Sequence, residues 1–149
     1  MSTGAGSRAW WRRVVLVASV SVGFAGWWLL HDPCDHPEIA RRIREAAKGP
    51  PGSVLDLGQI AGFPWDSACI VPPYTRRDDV ERQLGAKAPC FENSPSNSND
   101  GTQWLAFVHR GQVVAHAEIG RELHSPERLL PREKARFRLE GDSFLWCGE

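Results

Sequence analysis

Neither an acidic residue nor a cysteine occurs in the first 30 residues of this 149-residue chain. The charges there are Arg8, Arg12 and Arg13, and all four cysteines (Cys34, Cys69, Cys90, Cys147) come later. So sharp an asymmetry divides the chain into two environments. Beyond residue 30, fifteen basic residues face eighteen acidic ones. That balance, without a Lys/Arg stripe, lacks the electrostatic footprint a phosphate backbone requires, so nucleic acid is excluded as an expected partner. About 119 residues suit one core, and no second domain or internal repeat is expected.

Other absences narrow the chemistry. No Gly-x-Ser-x-Gly, no His-Glu-x-x-His and no glycine loop opening a helix is present. His109 and His116 fall on strand positions with no carboxylate placed by motif to orient them, His31 and His36 flank a linker and a helix start, and His124 lies in a connection. No catalytic residue and no cofactor is therefore expected. The cysteines are spaced 35, 21 and 57 residues apart, whereas structural zinc sites favour close pairs. An even number on one side of the chain points instead to two disulfides, of which Cys90 with Cys147 and Cys34 with Cys69 is the favoured pairing among three.

What is present begins with an uncharged run, Val14 to Leu30. As a helix it spans about 25 Å, enough to cross a bilayer with its flanks. Trp10 and Trp11 precede it, Trp27 and Trp28 close it, and paired indoles at both ends form an interfacial belt. With Arg12 and Arg13 on one side and Asp32, Asp35 and Glu38 on the other, the positive-inside rule predicts a signal anchor. Residues 1–13 form its cytoplasmic basic end, 14–30 the transmembrane helix and 31–149 an extracytoplasmic domain. The alternative is a signal peptide cleaved near Ala25, releasing a secreted domain.

Within the domain, Asp35, Pro37 and Glu38 read as a capped helix start, with Ile39, Ile43, Ala46 and Ala47 on one face. Strands are predicted at Val54–Leu57 and Trp65–Val71, and a second helix capped by Thr75, with Val80 and Leu84 inward, ends at Gly85. Residues 89–101 read as a polar loop, and residues 125–130 as one helical turn. A hairpin over 104–119 turns at Arg110-Gly111. Side-chain parity puts Trp104, Ala106, Val108, Val113, Ala115, Ala117 and Ile119 on its core face, with Leu105, Phe107, His109, Val114 and His116 opposite. A second hairpin over 135–146 turns at Gly141-Asp142, pairing Phe137 with Trp146 and Leu139 with Phe144. The sum is an α+β domain with two short helices and an antiparallel sheet of about five or six strands, the helices on one face.

The stretch Trp65-Asp66 running into Pro73-Tyr74-Thr75, then a helix closing on Leu84-Gly85, resembles a loosely defined group of uncharacterised bacterial membrane-anchored proteins and lipoproteins. The likeness covers about residues 60–120 and implies envelope location and an α+β fold, with no catalytic residues to carry over. Together these readings lead to the expectation of a tethered binding or assembly module whose partners are the lipid bilayer and another envelope protein. An envelope-acting hydrolase, or a secreted inhibitor-like protein, is the alternative.

Overall fold

The computed structural model describes residues 34–91 and 101–148. The expected membrane helix, its tryptophans and arginines, the cleavage position at Ala25 and residues 92–100 of the polar loop lie outside them.

Eight strands form two four-stranded sheets among the described residues. Sheet I takes the order β4-β3-β2-β6, built from β2 (Ser67–Val71), β3 (Gln103–His109), β4 (Gln112–Ile119) and β6 (Leu130–Pro131). Sheet II takes the order β1-β7-β8-β5, built from β1 (Val54–Asp56), β5 (Leu123–His124), β7 (Arg136–Glu140) and β8 (Ser143–Trp146). All neighbours are antiparallel except β5 and β8. The α+β class stands. The expected single sheet of five or six strands is corrected to two sheets holding eight; two-residue strands such as β5 and β6 carry too few residues to show a period.

The helix α1 (Pro37–Ala46) starts with proline in its first turn, where a missing N–H leaves no bond unmade. Ile39, Ala40 and Ile43 are buried, while Arg41, Arg42 and Glu45 face solvent. Asp35 does not cap it. His36 is the N-cap residue without a side-chain cap bond, and its Nδ1 lies 2.6 Å from Glu38. The reason is that the backbone here is already engaged as a short parallel bridge on β4. His116 N–H donates to the Cys34 carbonyl (2.7 Å) and His36 N–H donates to the His116 carbonyl (2.8 Å).

At Leu57, β1 gives way to a single helical turn, α2 (Leu57–Ile60), because Asp56 accepts from Gly58 N–H at 2.8 Å and caps it. The helix α3 (Arg77–Leu84) ends as expected at Gly85, in the left-handed conformation with φ of 58°. Its N-terminus differs: Thr75 Oγ1 donates back to the Pro72 carbonyl (2.8 Å) instead of capping. Residues 125–130 form no helix; Glu127 N–H is held by Ser125 Oγ (3.1 Å) and Leu130 enters β6.

The second hairpin follows the expected register, with Phe137 opposite Trp146 and Leu139 opposite Phe144. The first turns where expected, with φ of 50° at Arg110 and 75° at Gly111, the geometry of a two-residue hairpin turn. Its facing is overturned, however. Val108 pairs with Val113 but Phe107 pairs with Ala115, so Val114 is an extra residue in β4. One inserted residue flips everything beyond it. Leu105 and Phe107 share a core with Ala115, Ala117 and Ile119, whereas Trp104, Ala106 and Val108 belong with Val113.

Both faces of sheet I are consequently buried. One packs with α1 and the inner side of sheet II, around Trp65, Phe107, Phe137, Leu139 and Phe144. The other packs with Val80 and Leu84 of α3 and with Ala86, Ala88 and Cys90. Sheet II keeps an open face.

Candidate functional site

One disulfide is formed, Cys34 with Cys90. Both expected pairings are therefore corrected: Cys69 and Cys147 are free thiols, Cys69 buried and Cys147 half-buried. The cause is topological. Cys69 points to the α3 side of sheet I while Cys147 follows the last strand of sheet II. Cys90, in the short turn Pro89–Phe91, lies beside the β4 edge along which Cys34 runs. Burial pushes the Cys69 thiol up to about 11, which leaves it protonated and unreactive at neutral pH.

The motif residues separate into fixtures and surface. Trp65 is buried, stacked edge-on against Phe107 at 5.2 Å, with the Arg132 guanidinium 5.4 Å from its ring centre. Asp66 accepts from Arg110 N–H (2.7 Å) and lies 3.2 Å from His109 Nδ1, so it staples β2 to the hairpin turn. The Arg110 amide, with His109 beside it, holds the Asp66 carboxyl below the ordinary aspartate range. Leu84 and Gly85 close α3. Pro73 is half-buried at the bend. Tyr74 is 59% exposed, with φ of 63°; the left-handed backbone swings its ring out of the strand's path.

Of the two strand histidines, His109 has a carboxylate partner but sits at the hairpin tip, with the Asp66 side chain 59% exposed. His116 is buried against Trp104 (4.8 Å) and Phe91 (5.4 Å), with Asp35 4.0 Å from its Nδ1. It joins the linker, β4 and the disulfide region rather than opening on solvent. Among the described residues no group of three or more His, Cys, Asp or Glu side chains is placed to hold a metal.

Among the described residues two recesses have polar linings. One, of about 280 Å³, is lined by Asp56, Gln59, Arg132 and Arg136 among others. Its Asp56 is already matched by Arg136 (3.3 Å) and Gly58 N–H. The other, of about 360 Å³, opens where β6 parts from β2. Ile70 lines it from β2 and Pro72 from just beyond that strand, Glu127 and Arg128 from the chain leading to β6, and Gln83, Gln103 and His124 also reach it. Gln103 Nε2 donates to the Leu123 carbonyl (2.9 Å), which ties sheet I to the start of β5 and fixes one lining amide. This cleft offers hydrogen-bond donors, acceptors and both signs of charge at a strand edge, a setting for recognition of a polar ligand. None of its polar residues stood out in the sequence. The signal that existed was Pro131, which limits how far a strand can pair.

No protein-family model, no curated protein and no solved structure matches this chain.

Proposed function

We propose that the chain is a membrane-anchored extracytoplasmic binding or assembly module of a bacterial envelope. The observation that carries it is the Cys34–Cys90 bridge, which closes a covalent loop immediately after the apolar segment. A bridge of this kind persists in oxidising compartments, the side of the membrane that the arginine asymmetry of residues 1–30 favours for the domain. Among the described residues no helix is long and apolar enough to cross a membrane, so the anchor reading rests on residues 14–30 alone. The binding role is supported by the cleft at the β2 edge.

The deciding experiment is a paired reporter fusion at the C-terminus, one active only in the cytosol and one only outside it, with thiol trapping in intact cells. Outside activity and a protected Cys34 and Cys90 are expected; cytosolic activity with Cys34 and Cys90 recovered as free thiols would sink the proposal. The hydrolase alternative draws on the His109–Asp66 pair. It requires that His109→Ala abolish hydrolysis of envelope material, and no change would dismiss it.

A further inference from the structure

The sheet I cleft gains a specific occupant from the hydrogen-bond phase of β2. Pro131 stands opposite Ser67 and Leu130 opposite Ala68. A proline has no N–H to give, so the first pair cannot be one that exchanges bonds; the Arg132 N–H instead reaches past it to the Asp66 carbonyl at 2.9 Å. In an antiparallel ladder the bonding pairs alternate. Ala68 with Leu130 is thus the exchanging pair, and Ile70, two residues on, aims its N–H and carbonyl at the same edge.

Continuing the register, the residue to meet Ile70 is Arg128. It does not arrive. The strand β6 comprises only Leu130–Pro131, and Arg128 lines the cleft that also holds Ile70. Among the described residues the Ile70 backbone meets one hydrogen-bond partner, the Cys69 thiol, 3.6 Å from the carbonyl, a long and weak contact. A part-buried backbone donor and acceptor, spaced as in a strand and facing an open slot, form a site for another backbone.

From this we infer that the cleft between β2 and residues 126–128 binds an extended peptide segment of a partner protein, paired as a strand with Ile70. The mode is strand addition, in which main-chain bonds supply affinity and flanking side chains supply choice. Gln83 and Gln103 each offer amide groups that both donate and accept, while Glu127 and Arg128 present opposite charges. These linings suit a segment with hydroxyl or amide side chains and no strong net charge. The inference rests on the binding-module reading and names its ligand class.

The test uses the full-length protein in detergent and a phage-displayed library of random heptapeptides. Enriched sequences are made synthetically, and their affinity is measured by fluorescence anisotropy with each peptide nitrogen methylated in turn. Methylation at alternate positions is expected to weaken binding about tenfold, the cost of one backbone bond, and intervening positions little. The Ile70 amide is expected to exchange with deuterium at least about tenfold more slowly when peptide is bound. Arg128→Glu and Gln103→Ala, each checked for folding by circular dichroism, are expected to shift which sequences are enriched.

Failure to enrich any peptide, indifference to methylation, or protection confined to residues away from Ile70 would each overturn the inference. Selection of oligosaccharides in a parallel glycan array without any peptide would do the same. A reporter placing the C-terminus in the cytosol would remove the envelope assignment and leave the strand-addition result standing, so the two failures are distinguishable.

Discussion

Sheets I and II each hold four strands, yet one is covered on both faces and the other on one. In β7 of sheet II, Phe137 and Leu139 are buried while Arg136, Arg138 and Glu140 are exposed. In β3 of sheet I, five consecutive residues, Trp104 to Val108, are all buried. The contrast teaches that alternation in sequence records how many faces of a strand are covered rather than whether it is a strand. Sheet I owes its second cover to α3 and the Ala86–Phe91 segment.

Breaking that contrast is the strongest test of it. Phe107→Ala, in the core shared by both sheets, is expected to lower stability by about 3–5 kcal/mol in urea unfolding. A loss below about 1 kcal/mol would mean that this face of β3 is not packed. Next in size is the disulfide. Replacing Cys34 and Cys90 together by serine is expected to cost about 2–4 kcal/mol, with faster amide exchange along the outer edge of β4 than in β7 and β8. Equal acceleration in both sheets would show that the bridge supports the whole domain rather than one edge.

The turns offer a matched pair. Gly111 (φ 75°) closes the sheet I hairpin and Gly141 (φ 62°) the sheet II hairpin. Alanine at either is expected to cost about 1–2 kcal/mol, measured by thermal unfolding. A much larger loss at Gly111 would indicate that the bulge beside Phe107 loads the first turn. Smaller still is a pH effect confined to sheet I. Because folding lowers the Asp66 carboxyl through the Arg110 amide, its contribution is complete above the ordinary aspartate range. It disappears as pH falls through the lowered value. Asp66→Asn is expected to flatten the acid-side fall of the melting temperature, and an unchanged slope would remove Asp66 as its source. Smallest of all, Arg138→Ala on the open face of sheet II is expected to stay within about 0.5 kcal/mol of the native protein.

How much of this was legible depended on the same contrast. The second hairpin could be read residue by residue, since its outer face is polar and Gly141 marks its turn. The Arg110-Gly111 turn was equally plain, but nothing in Phe107-Val108 or Val113-Val114 announces a bulge, because valine and alanine suit either face of a doubly covered sheet. The cap at Asp35 followed a sound local rule that tertiary pairing with His116 overrode. Cysteine pairing and the cleft belong to a further level. They depend on which segments meet across long stretches of chain, and Cys34 meeting Cys90 is a property of the β4 edge, not of spacing. The short β6 left only Pro131 as a hint, and its consequence appears once Ser67 is known to face it.

A mechanical reading follows from where the crosslink lies. Tension applied between the N-terminal flank and the C-terminus enters at Cys34 and leaves through Cys90, 56 positions further along the chain, so the span between them is bypassed. The first helix, β1, β2 and α3 cannot be drawn out by such a pull, whereas the two hairpins remain in the line of force. Stretched in a single-molecule trap, the oxidised protein should release a shorter contour length than the reduced one, the difference being that shielded span.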